Sequence, residues 1–362
     1  MAIDVRLEIE EILKNYDLGE LVDLEKNERG YINTSFAVQT LKNGQVSRYF
    51  LRKYKRGIQE AEIQFEHSLI GHILAAGSPP VAQVYPTRQG ETYLRRSFEQ
   101  GDSEGAYYAI FDFLPGEDRY TWVAPHCSAA ELSNSAVVQA QFHHATRGFK
   151  PAGKRVEPKI LEMLPAITNR IAQTPRMDKR TAFDKTLFGH LDLVQGSLEA
   201  TSTALSEPAC QELIENVVHC DYHPGNLKFE GEAISGLFDF DWSKIDLRCF
   251  DIGLALWYFS ATWEAPRDGE LRLEEVRAFI EAYQGFLKDR PGLGPLSPVE
   301  LRYLPTMIEA GNLYVLNWTL VDYYQKKVDP QEYLMYLQHH LASAAWLSIQ
   351  SNRERLAAAL EI

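Results

Sequence analysis

At 362 residues, with 45% hydrophobic and 24% charged side chains, the chain has enough apolar mass for two packed units. A formal net charge of −13 argues against nucleic acid or an anionic membrane as the main partner, and suits an enzyme with an acidic cleft. Cys127, Cys210, Cys220 and Cys249 have neither paired nor metal-ligand spacing. The start, MAIDVRLEIEEIL, is acidic and amphipathic rather than a leader, and no apolar run reaches the ~18 residues that cross a bilayer. A cytoplasmic enzyme is the expectation.

In chain order, residues 4–16 predict an amphipathic helix through Val5, Leu7, Ile9, Ile12 and Leu13. Residues 22–38 and 46–54 alternate as strands, with Glu28 to Phe36 as a Gly/Asn/Ser-bearing turn whose N–H groups could cover phosphates. Arg52 and Lys53 sit next to each other on the second strand and so point to opposite faces. A helix over about 59–75 buries Ile63, Leu69, Ile70, Ile73 and Leu74, with Glu62 and Glu66 one turn apart. Residues 93–106 read as a hairpin with a polar tip, and Tyr107 to Gly116 as a last strand ending in Pro-Gly. Beyond it the pattern is helical: 128–146, 157–173, 183–205, an all-apolar core helix over 250–263, then about 270–288, 298–324 and 330–357.

The chemistry is concentrated in VVHCDYHPGNLKF and ISGLFDFDW. Asp221 and Asn226 form an HxDxxxxN string, and Asp239 follows in a DF step. Phosphoryl transfer needs one carboxylate beside the acceptor hydroxyl, here Asp221. It also needs oxygen ligands for Mg²⁺ on the phosphates of ATP, here Asn226 and Asp239. His219 reads as support beneath the loop, and Asp251 as a carboxylate opening the core helix.

These strings, with FDIGLALWYF, resemble the aminoglycoside phosphotransferase and choline kinase superfamily, whose loop reads HxDxHPGN. The resemblance implies an α+β, bilobal, protein-kinase-like fold. Its N-lobe, 1–112, would be an antiparallel sheet with one helix, and its C-lobe, 113–362, mainly helical. It also implies a loop over the nucleotide at Gly30 and Asn33, a phosphate-facing Arg52 in preference to Lys53, and Glu66 as its partner. The adenine hinge would lie at Phe111, Asp112 and Phe113. An aspartate at position 251 would brace the catalytic loop.

QAQFHHATRGF, SGLFDFDWSKIDLRCFDIGLALWYF and the tail LSPVELRYLPTMIEAG…DPQEYL are similar to the type II homoserine kinase branch. That branch implies a small-molecule hydroxyl acceptor. Yet a homoserine carboxylate asks for an arginine, and 307–324 carries Glu309, Asn312, Asn317 and Asp322 without Arg or Lys. With Asp241 just after Asp239, these residues lead to an expected cationic or polyhydroxyl acceptor, contacted by Asp241 and Glu309. Two other classes compete: a nucleotide-binding pseudokinase, which the intact Asp221, Asn226 and Asp239 oppose, and a metal hydrolase on the HxDxH cluster, which needs further ligands. A protein kinase is disfavoured because only eleven residues lie between Asp239 and Asp251, too few for a peptide-docking segment.

Overall fold

The computed structural model describes residues 5–27, 33–98, 104–173 and 181–361. Its strands are β1 (Glu20–Asn27), β2 (Thr34–Lys42), β3 (Gln45–Lys53), β4 (Leu94–Arg96), β5 (Ala106–Asp112), β6 (Glu215–Val218), β7 (Leu227–Glu230), β8 (Ala233–Leu237) and β9 (Lys244–Leu247). The helices are α1 (Val5–Leu13), α2 (Glu60–Ala76), α3 (Ala129–Ala145), α4 (Ile160–Gln173), α5 (Ala182–Gly189), α6 (Leu191–Leu205), α7 (Arg248–Ser260), α8 (Leu273–Leu287), α9 (Pro298–Gln325), α10 (Pro330–Ser348) and α11 (Gln350–Leu360). The chain divides into two compact units. One holds residues 1–116, 149–156 and 235–238, and the other holds 117–148, 157–234 and 239–362.

The first unit is built on an antiparallel sheet in the order β1-β2-β3-β5-β4. Within 22–38, β1 ends at Asn27 and β2 begins at Thr34 and runs on to Lys42, while most of the stretch between them, expected as a turn, lies outside the described residues. The hairpin that joins β2 to β3 turns at Asn43-Gly44, with φ of 52° and 80°. Both angles are left-handed, as a tight hairpin turn requires, and Asn-Gly tolerates them best. The sheet packs α1 on one face, where Ile9 and Ile12 meet Val38, Leu51 and Ile110. Period-two alternation puts Arg52 on the opposite face, toward α2. That helix opens with a reciprocal Gln59–Glu62 capping box and closes on Gly77 at φ 77°. Residues 149–156 cover α2: Phe149 meets Phe65 edge to face, and the Lys154 N–H donates to the Ala61 carbonyl.

The second unit is mainly helical. Antiparallel β6 and β9 pair from Glu215↔Leu247 to Val218↔Lys244. The loop 219–226 leaves the end of β6 and α7 leaves the end of β9, at opposite ends of this antiparallel ladder, and the loop is tied to the first turn of α7 by the Cys220 N–H, which donates to Asp251. Every residue of α7 is buried. It lies tightly on α9: a Cβ on Gly253 would sit 2.6 Å from the Met307 carbonyl carbon, and one on Gly311 would sit 2.8 Å from Leu254 Cα. The expected helix 183–205 is broken at His190 (φ −122°, ψ 19°), and 330–357 is broken at Ile349, whose ψ of 118° is extended. Among the described residues no helix is long and apolar enough to cross a membrane.

Candidate active site

Asp221 sits at the centre of a closely bonded loop. Its Oδ1 accepts from the Tyr258 hydroxyl at 3.0 Å, and its Oδ2 accepts from the Asn226 amide at 2.9 Å. The same amide nitrogen donates to the Asp221 carbonyl, also at 2.9 Å. Burial works against charge on Asp221, but His223 and the Tyr258 hydroxyl outweigh it and hold the carboxyl below its ordinary value. His223 turns its Nδ1 to accept from Gly225 N–H at 3.0 Å, which fixes the Pro-Gly turn. The His219 ring is fully buried against Phe142, Tyr222 and Phe240.

The residue before the aspartate, Cys220, adopts φ 62°, a costly conformation for a side-chain-bearing residue. Asp251 holds it there, with Oδ1 accepting from Cys220 N–H at 2.7 Å. The other oxygen of Asp251 accepts from Gln139 at 3.1 Å and His143 Nε2 at 3.0 Å, both on α3. With His143 Nε2 turned to Asp251, its Nδ1 faces the Tyr283 hydroxyl of α8, 2.8 Å away. Burial pushes the Asp251 pKa up, yet these donors bring it below its ordinary value, so the group is an anion. Asp239 also has a left-handed backbone (φ 66°, ψ 63°), which aspartate tolerates better than most residues. Asp241 is half-buried on the short turn that follows.

In the first unit the Arg52 guanidinium lies 2.8 Å from Glu66 Oε1, and both side chains are nearly enclosed. Glu66 Oε2 accepts from the Tyr54 hydroxyl at 3.0 Å. Lys53 lies on the other face and pairs with Glu8 of α1 at 2.9 Å. Gly30 lies outside the described residues. Asn33 Oδ1 accepts from Lys55 N–H at 2.9 Å. Phe111 is buried, and the Arg48 guanidinium lies 3.8 Å over the Phe113 ring. The Asp112 carboxylate is spent on the Tyr85 hydroxyl at 2.7 Å and Gln83 N–H at 3.2 Å.

A family model described as "Phosphotransferase enzyme family" (APH) matches residues 23–291, well over half of the chain. The chain belongs to this family. It is a small-molecule kinase with an α+β, protein-kinase-like fold. Relatives run nearly end to end. A protein named homoserine kinase from Afipia carboxidovorans is 29% identical over 346 residues, covering 92% of this chain and 91% of its own. One of the same name from Parvibaculum lavamentivorans is 27% identical, covering 93% and 94%. Among solved structures, amicoumacin kinase hAmiN in complex with AMP-PNP and Ca²⁺ superposes with a TM-score of 0.67. It is 14% identical and covers 95% of this chain and 94% of its own.

Several expectations for this kinase need correction. Glu309 is not an open acceptor contact: it is buried at 2% exposure, accepts from Ser197 on α6 and pairs with Arg353 of α11. Asn312 is bonded to His340, and Asn317 Nδ2 points at the Met163 sulfur. Asp322 pairs with Lys326 at the end of its own helix and accepts from the Tyr333 hydroxyl of α10 at 3.3 Å. These polar groups knit α9 into its neighbours, which removes the main ground for preferring a cationic or polyhydroxyl acceptor. Arg248 is fully buried in an ion pair with Glu300 and is not a candidate for an acceptor carboxylate either. Among the described residues no group of three His, Cys, Asp or Glu side chains is placed to hold a metal. Tyr258 was missed. Its signal was its place two turns beyond Asp251 on the same helix face.

Proposed function

We propose that this kinase transfers the γ-phosphoryl group of Mg·ATP to the side-chain hydroxyl of homoserine. The observation that carries the acceptor is the end-to-end likeness to relatives named homoserine kinase. Asp221 is the carboxylate beside that hydroxyl. Held as an anion, it orients the O–H and accepts its proton as the oxygen attacks phosphorus. With its nitrogen committed to Asp221, Asn226 offers its amide oxygen, and Asp239 offers a carboxylate. One amide and one carboxylate suit Mg²⁺, which takes few protein ligands and completes its shell with phosphate and water. When bound there, Mg²⁺ offsets charge on the β- and γ-phosphates. Arg52, aligned by Glu66, faces the α- and β-phosphates, and the backbone near Phe111 to Phe113 receives the adenine.

An ATP-consumption assay with homoserine, choline, ethanolamine, an amino sugar and methylthioribose tests this. Homoserine should give a kcat/KM at least ~10-fold above any other. A different acceptor ahead of it would reject homoserine, and consumption with none of them would reject the reading as a whole.

A further inference from the structure

The structure assigns Tyr258 as the positioning residue for Asp221, fixing the carboxylate from a helix that also fixes the backbone just before it. This rests on the reading of Asp221 as the carboxylate beside the acceptor hydroxyl. Asp251 and Tyr258 are seven positions apart on α7. Seven residues are about two turns, so both project from one face roughly 10 Å apart along the axis. From that face Asp251 takes the Cys220 N–H and Tyr258 donates to Asp221 Oδ1. Consecutive loop residues are thus gripped by one rigid element, one through its backbone and the next through its side chain.

The grip rests on the close packing of α7. Gly253 and Gly311 bring its backbone into van der Waals contact with α9, at distances no larger residue would permit. The Tyr258 ring is wedged as well, with centroids 5.1 Å from His223, 5.2 Å from Trp257 and 6.3 Å from Trp122. Tyr258 is 6% exposed. With Tyr258 on Oδ1 and Asn226 on Oδ2, the carboxylate is held at both ends and cannot rotate about its Cβ–Cγ bond without breaking a bond. Oδ2 also faces His223 Nε2 at 3.6 Å, and Oδ1 keeps a lone pair for the acceptor hydroxyl. The tyrosine therefore acts on the geometry of attack, to which phosphoryl transfer is sensitive.

The test uses the full chain with Mg·ATP and homoserine, or whichever hydroxyl acceptor the assay above ranks first. Tyr258→Phe deletes only the hydroxyl. It should lower kcat by roughly 10- to 10²-fold with the KM for ATP and the melting temperature near wild type. Para-aminophenylalanine at 258 restores an N–H donor at the same place and should recover most of the rate, which a purely structural role would not give. Wild-type kcat in Tyr258→Phe, or a loss not rescued by the amino analogue, would overturn the inference. Asp221→Asn, measured alongside, separates the two claims: full turnover there overturns the role of Asp221 itself, whatever Tyr258 does.

Discussion

In the first unit the charged pair comes from two neighbouring elements, Arg52 of β3 and Glu66 of α2, with the Tyr54 hydroxyl on Glu66 and the Phe111 ring 5.2 Å from the guanidinium carbon. In the second, a loop of eight residues, His219 to Asn226, is held by Asp251 and Tyr258 of α7, and Asp251 is held in turn by Gln139 and His143 of α3, with Tyr283 of α8 behind His143. A two-element site depends on strand parity and can be read from a short window. A loop pinned from several helices depends on tertiary packing, and each bond in it guards a backbone angle or a carboxylate plane. The two arrangements should therefore fail differently when side chains are removed.

The largest effect belongs to the pinned loop. Asp221→Asn keeps the shape and removes the charge. It should lower kcat by roughly 10²–10⁴ while nucleotide affinity, read by calorimetry, stays near wild type. Next, Asp239→Ala should abolish the part of ATP affinity that Mg²⁺ adds, so that titrations with and without Mg²⁺ coincide. Unchanged Mg·ATP binding would remove its assignment as a ligand.

The two-element pair comes third. Arg52→Ala should raise the KM for ATP by roughly 10-fold, on the scale of a lost charge-assisted bond to phosphate, and should also destabilise the first unit by leaving Glu66 buried without its cation. Lys53→Ala should do neither. The reverse pattern would place the phosphates on the α1 face of the sheet.

What was legible follows the same division. HxDxHPGN and its following aspartate are local strings, and their chemistry dictates their spacing. The alternation of β3 already separated Arg52 from Lys53, although not which of them meets Glu66 of α2. Asn43-Gly44 is a strong hairpin signal in the gap between the expected strands, and it marks the true end of β2 at Lys42, four residues beyond the expected one. His143 and Asp251 were each visible, but nothing in a window of sequence joins residues 108 positions apart. The polar residues of α9 misled for the same reason. A helix with Glu309, Asn312 and Asn317 looks like a binding wall until Ser197, His340 and Arg353 arrive from other helices to satisfy it.

The smallest effect concerns stability and pH. Asp251 has a folded pKa below its ordinary 3.8, because His143, with Cys220 N–H, outweighs the cost of its burial. A depressed carboxyl pKa stabilises the fold above the unfolded value, and that stabilisation is lost as pH falls through the folded one. The wild type should therefore lose stability on acidification below about pH 4, in part through this group. In Asp251→Asn the ionisation is gone, so that part of the acid dependence should disappear and the stability curve should flatten below about pH 4. At pH 7 the variant should melt lower, because Cys220 at φ 62° loses the anion that holds it. Equilibrium denaturation at pH 7 and pH 3.5 measures both. If the gap between wild type and variant were the same at the two pH values, Asp251 would be holding the loop by shape alone. The second unit's brace would then be no more electrostatic than the packing of Gly253 on α9.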